Sequence, residues 1–146
     1  MGRTGAFLVM MLLFLGCTEI PDCQDTRYPI AQVRFYSYED QRLTSVIFDS
    51  VFVIGNDQPL YEGDTLSEVD LRFDPFSDEA TYLFYADSTV DTLVLSYRSK
   101  LALENTDCGP IQYFYDLEPL TSSFDSVALI STIADLKVDT NVEVYR

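Results

Sequence analysis

From Pro29 onward the apolar positions of the chain recur at every second residue, and polar clusters interrupt them at short intervals. Val33 and Phe35 alternate with Gln32 and Arg34; Leu93, Leu95 and Tyr97 alternate with Val94, Ser96 and Arg98; Val142 and Val144 alternate with Asn141 and Glu143. A period of two sends successive side chains to opposite faces, so each run predicts a strand with one face in a core and one outward. Further strands are predicted over Thr44 to Ile54, Leu66 to Phe73, Thr81 to Ala86, Ile111 to Leu117 and Ser126 to Ser131. Gly55-Asn56-Asp57, Glu62-Gly63-Asp64, Asp74-Pro75, Asp87-Ser88 and Cys108-Gly109-Pro110 supply the breaks between them. The stretch Tyr97 to Glu104 reads either as a continued strand or as one helical turn, and no long window carries a 3.6-residue apolar period. About eight short strands at this spacing predict an all-β domain, specifically a single immunoglobulin-like β-sandwich.

The N-terminus follows a different pattern. Arg3 precedes an apolar run from Ala6 to Leu15, and Leu13-Phe14-Leu15-Gly16-Cys17 reads as a lipobox. The expected organisation is a lipoprotein signal peptide over residues 1–16, a lipidated Cys17 with a short polar tether over 17–28, and a β-sandwich over 29–146. A transmembrane anchor is the competing reading, but the run falls short of the roughly 20 residues that span a bilayer. Acyl chains on Cys17 would give stable anchoring at about 0.8 kcal/mol per buried methylene.

Charge narrows the partners. With 24 acidic against 9 basic residues the formal net charge is −15. Phosphate recognition needs a basic surface, so nucleic acid is excluded as a partner and an anionic lipid surface is disfavoured as a docking site. Three cysteines divide into the lipid-bearing Cys17 and a remaining two, Cys23 and Cys108. Beyond the inner membrane an even remainder points to a disulfide, which the chain-entropy model values at up to about 4 to 5 kcal/mol; two separately buried thiols are the alternative.

The sequence offers little catalytic equipment. It contains no histidine, so a serine or cysteine nucleophile lacks its usual base and a zinc site lacks ligands. No catalytic residue, no metal site and no cofactor other than the lipid on Cys17 is expected. Asp74, Asp78 and Glu79 form the densest acidic turn, readable as a Ca²⁺ site or as a solvated turn. Ten tyrosines and ten phenylalanines gather in Phe35-Tyr36-Ser37-Tyr38, Tyr82-Leu83-Phe84-Tyr85 and Tyr113-Phe114-Tyr115, with aromatics on both parities. Either they pack across strands, or one face meets a partner, because Tyr and Phe are enriched in interface cores. By alternation Tyr36, Tyr38, Phe84 and Phe114 are the interface candidates.

The lipobox cysteine, Asp22-Cys23, Val33-Arg34-Phe35-Tyr36, Asp91 to Arg98 (Asp-Thr-Leu-Val-Leu-Ser-Tyr-Arg), Asp107-Cys108-Gly109 and the closing Asn141-Val142-Glu143-Val144-Tyr145 together resemble an uncharacterised family of small lipoproteins from Bacteroidota, known only as a domain of unknown function. The resemblance brings no catalytic residues. It implies an outer-membrane lipoprotein serving as a non-enzymatic accessory subunit of a β-barrel complex, with barrel-assembly machinery first among the candidates. The expected partner is an outer-membrane β-barrel protein or a lipoprotein neighbour. Glu19 and Asp22 soon after the lipidated cysteine favour the cell surface over the periplasmic face. The alternative is a lipid-anchored binding protein for a glycan, peptide or cation, which requires a concave pocket with convergent polar groups.

Overall fold

The residues that alternate along the sequence also alternate in space. A computed structural model of the chain describes residues 29–105, 109–134 and 139–146. Nine strands form among them: β1 (Ala31–Tyr36), β2 (Val46–Val53), β3 (Tyr61–Leu66), β4 (Glu68–Leu71), β5 (Glu79–Ala86), β6 (Thr89–Asn105), β7 (Gly109–Ser122), β8 (Ser126–Leu129) and β9 (Thr140–Tyr145). In β5 the period is unbroken: Ala80, Tyr82, Phe84 and Ala86 are buried, and Thr81, Leu83 and Tyr85 keep part of their surface.

These strands make a four-stranded sheet, β4-β1-β9-β8, and a five-stranded sheet, β3-β2-β5-β6-β7. One core lies between them, so the architecture is an all-β sandwich. Its strand order is not that of a constant-type immunoglobulin domain, which pairs ABED against CFG. Here β5, β6 and β7 meander within one sheet and β1 runs parallel to β9. The two sheets are joined at one edge by Ser67, which alone separates β3 from β4. The Phe35 N–H donates to the Ser67 carbonyl at 3.0 Å and fixes that corner.

Two aromatic clusters fill the core. Phe35 meets Phe48, Phe84 and Phe124 at centroid distances of 5.0, 5.9 and 6.2 Å. Towards the other end Phe73 meets Tyr97 at 4.6 Å and Phe114 at 5.0 Å. Tilted and edge-on rings of this kind add roughly 0.5–1.5 kcal/mol per pair beyond area burial. The buried phenols are satisfied: Tyr82 donates to the Arg72 carbonyl at 2.7 Å and Tyr97 to the Asp74 carbonyl at 3.0 Å. Gln32, expected outward by alternation, is buried. Its N–H donates to Asn141 Oδ1 at 3.0 Å, and Asn141 Nδ2 donates to the Ile133 carbonyl at 2.7 Å.

Three local features depart from the expected strands. Glu62-Gly63-Asp64 lies inside β3 and is not a break between strands, because an edge strand paired only with β2 needs no apolar alternation. Tyr97 to Glu104 continues β6, paired with β7 through Asn105. In β7 an extra residue opposite Tyr97, with Asp116 at φ 53°, forms a bulge. The left-handed backbone there is one that Asp tolerates, and it keeps both Phe114 and Leu117 facing the core.

Replacing Phe35 by Ala should cost about 3–5 kcal/mol, read as a lowered midpoint in urea unfolding with an unchanged slope. Burial pushes the Tyr82 phenol well above its ordinary 10.0, with a further push from Tyr97, and burial likewise raises Tyr97. Above pH 10 the unfolded phenols lose protons that the folded ones keep, so their contribution is complete below that pH and declines as the pH rises further. Alkaline unfolding followed by circular dichroism should show this decline, and Tyr82→Phe should make it shallower.

Candidate functional site

The structure separates the four aromatic interface candidates. Phe84 and Phe114 are 0% and 3% exposed and belong to the core clusters, which removes them from any outer face. Their runs carry aromatic residues on both parities, so alternation alone left the inward parity open; contacts across the sandwich decide it. Tyr36 lies on the outer side of the four-stranded sheet, stacked on Tyr145 at 5.5 Å and 28°. Tyr38, just beyond β1, is exposed. Tyr36 and Tyr38 therefore remain available to a partner, and Phe84 and Phe114 do not. Cys17, Cys23 and Cys108, with the segments 1–16 and 17–28, lie outside the described residues.

The outer face of the five-stranded sheet carries apolar residues that the sequence did not single out. Across β2, β5 and β6, Phe52 is opposite Leu83 and Tyr85 is opposite Val90. The Phe52 and Tyr85 rings meet edge-on at 6.0 Å. Val90 and Ile54 extend this stripe with exposures of 47% and 63%. By contrast the outer face of the four-stranded sheet is charged: Arg34 and Glu68 pair at 3.3 Å, and the Tyr145 hydroxyl donates to Glu143 at 3.1 Å. That hydrogen bond, first, raises the Tyr145 phenol above its ordinary range.

A second apolar element is the far part of the β6–β7 hairpin. Pairing of β6 with β5 ends at Ser96, yet β6 and β7 stay paired from Arg98 and Tyr115 out to Asn105 and Gly109. Ser99 and Phe114 still pack on the sandwich, and beyond them the arm projects by about 20 Å at 3.3 Å per residue. Leu101 and Leu103, on the parity of Tyr97, are 68% and 62% exposed.

The acidic groups do structural work. The Asp74 carboxylate accepts the Phe76 N–H at 2.9 Å, and Ser99 Oγ donates to the Pro75 carbonyl at 3.0 Å, so the acidic turn is stapled to β6. Among the described residues no group of three or more His, Cys, Asp or Glu could hold a metal ion. Asp87 sits in the β5–β6 turn at φ 51°, whereas Asp91, four residues on, lies within β6 and turns inward. It accepts from Ser123 Oγ at 3.2 Å and pairs with Arg146 Nε at 3.3 Å, the latter without hydrogen-bond geometry. Arg146 Nη2 also donates to Thr89 Oγ1 at 2.8 Å. Two open depressions, of about 490 Å³ beside Phe76 and Arg98 and about 510 Å³ beside Thr44 and Arg146, mark the opposite ends of the sandwich. No helix among the described residues is long and apolar enough to cross a membrane.

Adding millimolar Ca²⁺ should shift the melting temperature no more than NaCl of equal ionic strength, because the Asp74 turn already spends its carboxylate on its own backbone. A calcium-specific rise in differential scanning fluorimetry would contradict that assignment.

A model of the family of unknown function DUF6452 matches residues 46–146, from the first residue of β2 to Arg146. The chain belongs to that family. No curated protein and no solved structure matches it.

Proposed function

We propose that this member of a family of unknown function is a lipid-anchored, non-enzymatic interaction subunit of the outer membrane, seated against a β-barrel protein or a neighbouring lipoprotein, with barrel-assembly machinery as the first candidate complex. The observation that carries the reading is the apolar stripe Phe52, Leu83, Tyr85, Val90 and Ile54 on the outer face of the five-stranded sheet. Contiguous apolar surface on a chain of net charge −15 is a feature of partner faces more than of free monomers. The lipobox ending at Cys17 supplies the anchor and, through it, the compartment. The absence of histidine from the sequence removes the usual general base and agrees with a role in assembly. The two depressions described above are open and lack the enclosed, convergent polar groups of a ligand pocket, and we rank a glycan, peptide or cation binder as the second reading.

Affinity purification of the tagged, full-length protein from native membranes in mild detergent, followed by mass spectrometry, tests this. We expect stoichiometric recovery of an outer-membrane barrel, and Leu83→Asp together with Val90→Asp should reduce it at least about tenfold, as a lost apolar contact of a few kcal/mol does. Tyr38→Ala, just past the end of β1 in the opposite sheet, should change recovery little. Recovery of the lipoprotein alone in several detergents would instead favour ligand binding.

A further inference from the structure

Beyond Ser96 the side of β6 that β5 covers is left open. β5 begins at Glu79, opposite Ser96, and the last backbone bond on that side among the described residues runs from the Tyr97 N–H to the Asp78 carbonyl at 2.9 Å. In an antiparallel ladder consecutive residues turn their N–H and C=O groups to opposite sides. The ladder with β7 is regular from Arg98 to Leu103, so Arg98, Lys100 and Ala102 face β7 with these groups, while Ser99, Leu101 and Leu103 aim theirs as Tyr97 does, to the open side. Ser99 lies against the Asp74 turn, where its Oγ donates to the Pro75 carbonyl. Leu101 and Leu103 are further out, and among the described residues no strand pairs with them on that side.

Three exposed apolar side chains border this edge. Leu101 and Leu103 share one face of the arm, and Phe76, 96% exposed, lines a depression with Ser99 at its foot. The turn that carries Phe76 is held by its own hydrogen bonds: Asp74 accepts the Phe76 N–H at 2.9 Å, and Ser77 Oγ donates to the Glu79 carbonyl at 2.8 Å. A side chain on so constrained a turn gives up little backbone freedom on binding. Backbone donors and acceptors two residues apart, with apolar side chains beside them on one face, match an extended strand whose apolar residues recur at every second position. A helix packed on the leucines would cover the Leu101 and Leu103 peptide groups without pairing them, and unpaired buried peptide groups oppose binding.

We propose that the open edge of β6 takes up a strand of the partner protein, which lies in line with β5 and extends the sheet along the arm, with Phe76 against the end nearest the sandwich. The proposal rests on the accessory-subunit reading above and adds to it a surface separate from the apolar stripe. A closed barrel wall has no free strand edge, so the strand belongs to a tail or loop of the barrel protein outside its wall.

The test uses the tagged, full-length protein purified from native membranes in mild detergent. Leu101→Pro removes the N–H that faces the open side, at a position where the ladder to β7 does not use it, and should lower recovery of the barrel about tenfold or more. Leu101→Thr keeps that N–H and a strand-forming side chain, and should lower it less than about threefold; circular dichroism verifies the fold of both variants. Independently of either, photocrosslinking from Phe76→p-benzoylphenylalanine should map to a segment of the barrel protein outside its wall. Equal losses in the two Leu101 variants, or no loss in either while the barrel is recovered, overturn the strand pairing and leave the accessory-subunit reading standing. A crosslink to this chain's own residues or to a second copy overturns it as well. Failure of the parent chain to recover any barrel overturns both.

Discussion

The packing of the Phe35 ring against three others holds the two sheets in register. Phe35 belongs to β1 in the four-stranded sheet, and its ring reaches Phe48 of β2 and Phe84 of β5 in the opposite sheet and Phe124 between β7 and β8. The same residue's N–H closes the Ser67 corner. One residue thus ties together the core and the point at which the chain changes sheets. The hydrophobic drive favours burial of these rings in many arrangements; close packing in one geometry selects this strand order from the alternatives.

Period-two patterning made most of the sandwich legible. β5 and the inner half of β6 alternate strictly, because each has one face in the core and one outward; β1 and β9 alternate in sequence, but Gln32 and Asn141 on their polar side are buried against each other. β3 was illegible for the opposite reason: at a sheet edge, with Glu62, Gly63 and Asp64 exposed, nothing forces an apolar side. The arm was only half legible. Beyond Ser99 and Phe114 its strands have no facing sheet to bury against, so Leu101 and Leu103 look like core residues in the sequence and are surface residues in space.

The outer surface was harder still to read. Tyr82-Leu83-Phe84-Tyr85 is apolar on both parities, and a choice between them requires knowing which residues of the other sheet stand opposite. Phe84 answers to Phe35 and Phe48, and that leaves Leu83 and Tyr85 on the outside with Phe52. Asp91 teaches the same lesson for charge. It stands beside Ser-Thr-Val like a turn residue, but its partner Arg146 is distant in sequence and near in space. Interface and ion-pair residues on a sheet are fixed by long-range register, which a local pattern does not encode.

The exposed edge at β3 has a consequence for how copies of the protein behave when crowded. An unpaired strand edge is a template for joining another chain through its backbone. Here that edge places Glu62 and Asp64 beside β2 residues that include Asp49, so two such edges brought side by side would press carboxylates together. The opposing β7 edge contains Pro110 and Pro119, which have no N–H to offer an incoming strand. Electrostatic repulsion at one border, and at the other two residues without donors together with backbone bonds already made to Thr132 and Ala134, work against neighbouring molecules zipping into a continuous sheet.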